Sequence, residues 1–542
     1  MKILNRKVTI DGYFLMDAGV IFFLIALIFT PDLGEVLASM FRYDKFYHLD
    51  SFIMAPAWAH HNGLILNKDV TSEYSLIIPI VFDELMTLAG GFNYAHAVSI
   101  MIGLCAVYYF LLYGLWRYWL GNFWLPFFGV VLSIKLQFFH LGGMPLIWTY
   151  PSATPLRFLP DVFFLFFILR FTQGLSLWWL SAAAVITGLS LVWVMDVGSY
   201  MYATLFIAAA GCVYLKGIKI IPKVAALILI PWFIALGVLS IFYGHLVWES
   251  RFWHNVFEFV SLFLQGWGAL PITVGLMDKQ FFAFCMGFMI PVAYLGTLLY
   301  SSGMLLFRQS RQHLFMVLVC VYGLGLYHYF IHRSAVNSYY AVAVPLVFVL
   351  LFWLQALLGC CNDHWKRRIK IILCVWALMA LATRYLVTYY PNGRNWPGYD
   401  WSGEKKFYAQ YFDFSQDASL IDALTTPYEP VVLISSFETK ILMQANRRPF
   451  FYYFPLLGSQ HMLQKERMNG TYLHTYARLN LTLRQLQDER PSHLFIQTNL
   501  YEWKEDPSYE NSHSGLKQLL VYIRLHYQYQ SRGQYLTVLR LK

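Results

Sequence analysis

The sequence predicts a polytopic α-helical membrane protein, with about eleven transmembrane helices followed by a C-terminal extracytoplasmic α/β domain. Three observations carry this. Of 542 residues, 58% are hydrophobic and 13% charged, whereas a soluble domain carries about 25% charged residues. Aromatic residues make up 19%, and Trp and Tyr favour the membrane–water interface. Many segments reach the roughly 20 apolar residues that one bilayer crossing needs, and that pattern stops after Tyr390.

The elements follow in order. The opening MKILNRK carries Lys2, Arg6 and Lys7 ahead of the first apolar run, 13–30, which predicts a cytoplasmic N-terminus. Without a convincing small-residue cleavage site, and with many apolar runs behind it, that run reads as an uncleaved helix rather than a secretory signal. Further spans are expected at 94–115, 121–139, 157–172, 178–195, 199–215, 224–243, 282–306, 314–331, 337–358 and 369–388. With alternating direction, the cytoplasmic loops receive Arg117, Arg170, Lys216 with Lys219 and Lys223, Arg308 with Arg311, and the Lys366–Lys370 run. Short outer connections such as MDVGSY carry no Lys or Arg. In a soluble chain a net charge of +10 would suggest nucleic acid. Here the cytoplasmic-loop bias accounts for much of it, and no nucleic-acid partner is expected.

Residues 1–390 thus form the transmembrane domain, with long outer segments at 31–93 and 244–281. The second has amphipathic spacing with Trp248, Trp253 and Trp267, which predicts a helix lying in the interface. The turn-rich PNGRNWPGYDWSG opens residues 391–542 as a linker. Beyond it VVLIS (431–435), HLFIQT (493–498) and the final QYLTVLRLK read as strands. FETKILMQAN, YLHTYARLNLTLRQLQ and GLKQLLVYIRLHY read as helices, an alternation that suggests an α/β domain. No GxGxxG or Walker loop is present. The seven cysteines lie in the spans or at their inner ends, so no disulfide framework is implied. Cys360 and Cys361 read as interfacial thiols or as acylation sites.

The chemistry concentrates outside. The stretch FYHLDSFIMAPAWAHHNGLILNKDVTSEYS (46–75) holds Asp50, Asp69 and Glu73. Asp50 precedes a short apolar helix and reads either as a base near the outer surface or as an N-cap. Asp69 and Glu73 read locally as a capping arrangement for the next helix. His60 and His61 lack any HExxH-like spacing and read as interfacial histidines. Arg157, in PLRFLP, and His332 with Arg333, in HRSAVN, stand at outer ends of spans. A guanidinium there suits a phosphate, because its fork donates two bonds; lipid-headgroup anchoring is the alternative. Lys135 is a third cation near an outer end, and Asp196 reads as the cap of a tight helix–helix turn.

Taken together, HLD (48–50), Gly63-x(5)-Asp69 with Tyr74, PLRFLP (155–160) and HRSAVN (332–337) resemble the GT-C superfamily of integral membrane glycosyltransferases. The likeness is to its bacterial members related to dolichyl-phosphate-mannose protein mannosyltransferases. Asp50 is followed by Ser51, where many such proteins carry two adjacent acids. Both Asp50 and Asp69 therefore remain open as the family's acid. The resemblance implies a polyprenyl-phosphate sugar donor and a lipid, glycan or protein acceptor. It also implies a hexosyl or pentosyl transfer outside the cytoplasm of a bacterial inner (plasma) membrane. A lipid phosphate leaves readily and needs charge stabilisation; the acceptor hydroxyl needs a base, and one carboxylate suffices for a single inverting displacement. This puts Asp50 as base, with Asp69 and Glu73 as orienting groups or metal ligands. Lys135, Arg157, His332 and Arg333 would sit on the donor phosphate, and a hard divalent ion is compatible with the carboxylates. A lipid-linked sugar transporter should show repeat symmetry or broken mid-membrane helices, and no clear repeat is found. A polysaccharide ligase or polymerase, or a non-catalytic envelope scaffold, are the other readings.

Overall fold

The computed structural model describes residues 12–29, 49–72, 75–138, 155–264, 279–308, 310–332, 341–389, 413–452, 454, 473–502 and 514–542. Most of these are helical. In chain order the helices begin with α1 (Gly12–Ile28), α2 (Ala55–His61), α3 (Ile78–Leu88), α4 (Tyr94–Leu120), α5 (Trp124–Ser133) and α6 (Pro155–Gly174). Then come α7 (Leu177–Trp193), α8 (Met195–Lys216), α9 (Ile221–Tyr243), α10 (Ser250–Leu264), α11 (Lys279–Arg308), α12 (Arg311–His332), α13 (Ala343–Cys360) and α14 (Asp363–Tyr389). The C-terminal elements are α15 (Ser415–Leu424), β1 (Leu433–Ile434), α16 (Glu438–Gln444), α17 (Leu473–Glu489), β2 (His493–Gln497), α18 (Thr498–Tyr501), α19 (Ser514–His526), β3 (Tyr527–Arg532) and β4 (Leu536–Leu541). Two compact units result. One comprises Met1–Asp32, Ser99–Gly244 and Ala269–Tyr399, the other Leu33–Val98, His245–Gly268 and Asp400–Lys542.

In the first unit each stretch predicted as a span holds a helix. Among the described residues, six helices are long and apolar enough to cross a membrane: Tyr94–Leu120, Met195–Lys216, Ile218–Trp248, Phe288–Arg308, His313–Ile331 and Ala343–Cys360. Shorter apolar helices cover Asp17–Ala26, Trp124–Gln137 and Leu177–Trp193. Their aromatic side chains sort by face. Trp116, Tyr108, Tyr113, Tyr294 and Tyr322 are fully buried, whereas Trp232, Phe233 and Phe307 stand exposed, as lipid-facing side chains must. Extended Val194 (φ −146°) breaks the chain between α7 and α8, and the two helices pack along each other. Gly217, at φ +88°, ends α8 in a conformation that only glycine adopts without strain.

The basic residues of this unit collect at one end. Arg117, in the last turn of α4, pairs with Asp17 near the start of α1 at 3.1 Å. One residue on, Tyr118 accepts from Arg170 in the last turns of α6. Trp119 meets Phe315 edge-on near the start of α12. Leu314 in turn lies against Gly211 near the end of α8, and Tyr214 donates to the Leu306 carbonyl near the end of α11 at 3.4 Å. The ends of α4, α6, α8 and α11 and the starts of α1 and α12 therefore share one side, and the predicted cytoplasmic cations Arg117, Arg170, Lys216, Arg308 and Arg311 sit on it.

The second unit is built around a four-stranded mixed sheet, order β1-β2-β4-β3, with β1–β2 parallel and the other pairs antiparallel. Ile434, Leu486, Leu494, Ile496, Leu519, Ile523 and Leu539 form its core. Asp417 on α15 accepts from the backbone N–H groups of Tyr535 and Leu536 at 2.9–3.1 Å and so braces the start of β4. Burial pushes its carboxyl above the usual range, and those N–H bonds oppose the shift. Three distant segments are knitted together here. Trp58 donates to the Arg447 carbonyl at 3.0 Å, the Thr71 N–H to the Tyr452 carbonyl at 3.0 Å, and Asn255 on α10 to the Asn67 carbonyl at 2.7 Å. The predicted strand and helix positions are occupied, but β1 spans only two residues, and α15, α18 and β3 were not anticipated. The strand YQYQSR is polar and largely exposed, an edge strand without the alternation that marks a half-buried one.

Candidate functional site

The site starts at a break in helical register. Between Leu49 and α2, residues Asp50–Met54 wind as one π-helical turn, closed by the Ala55 N–H on the Asp50 carbonyl. Pro56 follows and has no N–H to continue the ordinary register. Asp50 does not act as an N-cap, the alternative open from sequence. Its backbone is helical, and both side-chain oxygens bond elsewhere. Oδ1 accepts from the Tyr94 hydroxyl at the start of α4 at 2.6 Å. Oδ2 accepts from the Thr439 hydroxyl on α16 at 2.8 Å. Asp50 has no exposed surface. Burial disfavours the charged carboxylate and pushes its pKa up to about 7, while the two hydroxyl donors favour the charged form and hold back part of the rise. The result is a carboxylate that exchanges a proton near neutrality, the property a general base needs.

Asp69 is a different kind of acid. It is exposed, and its Oδ2 accepts the Ile65 N–H at 3.0 Å, closing a turn in which Asn67 takes φ +61°. It shares no hydrogen-bond partner with Asp50. Nor does it cap α3 as expected. The Ser75 hydroxyl oxygen does that, accepting from Ile77 and Ile78 N–H at 3.2 and 2.9 Å. Glu73, Tyr74 and Arg333 lie outside the described residues, as does the side chain of His332, whose backbone ends α12.

His60 and His61 are not loose interfacial histidines. Both Nδ1 atoms donate to the one buried carboxylate of Asp83 on α3, at 2.7 and 2.8 Å, and His61 stacks on Trp58 in a three-ring cluster with Phe92. The sequence reading passed over Asp83. Its signal was an acid on the apolar face of IPIVFDELMTL.

In the first unit, Arg157 at the start of α6 is buried. It forms an ion pair with Asp196 at the start of α8, donates to the Tyr329 hydroxyl at 3.3 Å and lies 4.2 Å from the centre of that ring. Asp196 is not the cap expected from the sequence: Val194 holds the N-cap position with no side-chain cap bond, and Asp196, inside the first turn of α8, accepts the Val197 N–H at 2.8 Å and neutralises Arg157. Lys135 is half-buried in a π-helical turn, Ile134–Phe138, that continues α5. Among the described residues no group of three or more His, Cys, Asp or Glu side chains is placed to hold a metal ion.

No family model matches the chain, and no curated protein matches it. Solved structures do. The Archaeoglobus fulgidus oligosaccharyltransferase, in complex with Zn and sulfate, aligns over 96% of this chain and 72% of its own at 11% identity and a TM-score of 0.48. ArnT from Cupriavidus metallidurans in the apo state aligns over 97% of each chain at 10% identity and 0.47. ArnT bound to undecaprenyl phosphate aligns over 98% of each at 11% identity and 0.43. At this level the likeness carries no assignment of activity.

Proposed function

We propose that the chain is a membrane glycosyltransferase of the GT-C type, moving a sugar from a polyprenyl-phosphate donor to an acceptor hydroxyl outside the cytoplasm. The observation that carries this reading is Asp50: an acid in the motif-bearing first outer segment, buried, held by two hydroxyls and balanced near neutrality. In the reaction the acceptor oxygen attacks the anomeric carbon as the bond from that carbon to the phosphate oxygen breaks. Asp50 takes the acceptor's proton, and polyprenyl phosphate departs with the bonding pair. A single displacement inverts the anomeric centre. Asp50 is fully buried, so an acceptor hydroxyl meets it only after local opening.

The same reading gives Arg157, Arg333, Lys135 and His332 to the donor phosphate, and Asp69 and Glu73 secondary roles as orienting groups or metal ligands. Arg157 already faces Asp196, so a phosphate there exchanges with that carboxylate. The protein is read as a resident of a bacterial inner membrane, with its N-terminus in the cytoplasm and residues 391–542 outside.

The test is turnover in detergent with a panel of polyprenyl-phosphate sugars and a membrane-lipid extract as acceptor, read by mass spectrometry. Asp50→Asn is expected to lower product formation by about 10²–10⁴-fold, the usual contribution of a general base, with folding intact. Equal product from both proteins would remove Asp50 from the chemistry.

A further inference from the structure

Resting on the reading of Asp50 as the base, we infer that Thr439 is a positioning residue for the transfer: its hydroxyl fixes the Asp50 carboxylate in one orientation and favours its ionised form. Thr439 stands 389 positions from Asp50 in the chain and donates to Oδ2 at 2.8 Å. Neither residue has any exposed surface, so water does not substitute for either partner.

The hydroxyl is held from behind. Threonine is β-branched and restricted at χ1; its Oγ1 points at Asp50, and the backbone of α16 that carries it is pinned at its start. The Ser435 N–H donates to Glu438 at 3.2 Å and the Phe437 N–H to the Ser435 hydroxyl at 3.1 Å. The Ser436 N–H donates to Gln497 on β2 at 3.1 Å. With Tyr94 on one oxygen and Thr439 on the other, the plane of the carboxylate is set. Each oxygen keeps acceptor capacity for one more donor, which is the place an acceptor hydroxyl needs.

The neighbouring titratable groups are turned to other partners. On α2, His60 and His61 bond Asp83 of α3, and Glu84 of α3 is exposed. His96 on α4 bonds Gly91 and Asn93. On α16, Glu438 accepts from Ser435 and Lys440 lies over the Phe414 ring. Burial, Tyr94 and Thr439 are what act on Asp50 among the described residues.

The sign of the effect follows. A hydrogen bond to a carboxylate favours its charged form, so removing the Thr439 hydroxyl raises the Asp50 pKa from about 7. Thr439→Val is expected to move the acid limb of the kcat/KM–pH profile up by about one unit, with activity recovered on the alkaline side. Thr439→Ser, which keeps the hydroxyl, restores the wild-type limb. A merely structural role predicts a loss uniform in pH.

Thermal unfolding against pH provides a reading that needs no substrate. A carboxyl whose folded pKa lies above its unfolded value of about 3.9 stabilises the fold fully below that value. The contribution is lost as pH rises through the folded pKa, about 7 here. Thr439→Val is expected to extend the decline to higher pH, and to leave the pH dependence unchanged when Asp50→Asn is already present. An unmoved acid limb, or an unmoved unfolding window, overturns the role of Thr439 while the base assignment stands. Equal turnover by Asp50→Asn and wild type overturns the base assignment and this inference with it.

Discussion

Two carboxylates, Asp50 and Asp83, solve the problem of burial differently. Asp50 is met by two neutral hydroxyls and stays near the point of protonation. Asp83 is met by two imidazole N–H groups, from His60 and His61. The first arrangement keeps a proton exchangeable, and the second fastens α2 to α3. Asp83→Ala is therefore expected to destabilise the protein by about 1–3 kcal/mol through two lost partners. In the His60→Ala/His61→Ala background it should cost much less, because coupled partners are not additive. Thermal melts of the four proteins check this, and equal losses in both backgrounds would deny the coupling. Asp50 was visible in the sequence, as an acid in a motif-like position. Its partners were not, because Tyr94, 44 positions on, and Thr439, 389 positions on, acquire their roles only when their segments come together. Arg157 was visible as a cation at a span end, but its neutralisation by Asp196 depends on how α6 and α8 pack.

At the level of elements, helices were legible because a bilayer crossing demands a long apolar run, and nothing else in the chain produces one. The strands after residue 430 were legible where they are buried, in HLFIQ and LTVLRL, and illegible at the polar edge strand β3. Helix–helix contact was not legible, since it turns on single small residues. Gly188 on α7 is such a case. A Cβ there would come within 2.6 Å of the Pro231 carbonyl oxygen and 2.7 Å of the Ile234 Cβ on α9. Neither is the free end of a flexible side chain, so the helices must separate. Gly188→Ala is expected to cost about 1–3 kcal/mol, against the gain of up to roughly 1 kcal/mol that Ala brings to a helix. Gly237→Ala, on α9 with nothing within 4 Å of its added Cβ, keeps only the gain. Opposite shifts in melting temperature for the two variants are the expected result; two shifts of one sign would refute the close approach.

For the whole molecule the prediction concerns which way the chain faces. The sequence assigns the basic loops to the cytoplasm, and the first unit brings Arg117, Arg170, Lys216, Arg308 and Arg311 to a single end through contacts that the charge pattern did not use. Tyr300 of α11 packs against Phe352 and Trp353 in the later part of α13, and His313 of α12 meets Phe352 edge-on. This brings the last turns of α13, with Cys360 and Cys361, toward the same end. Those two thiols are exposed and half-exposed, which makes them natural reporters. If the basic end is cytoplasmic, a membrane-impermeant maleimide added to intact spheroplasts should leave Cys360 and Cys361 unmodified and should label them in inverted vesicles. The Cys360→Ser/Cys361→Ser variant identifies the signal. A cysteine placed at exposed Tyr529 on β3, in that background, should behave the opposite way, since an acceptor outside the cytoplasm requires residues 391–542 to be outside with it. Labelling of Tyr529→Cys from the cytoplasmic side alone would reverse the orientation. Transfer would then have to occur on the cytoplasmic face, where the proposed lipid-phosphate donor would have no need to cross the bilayer before use.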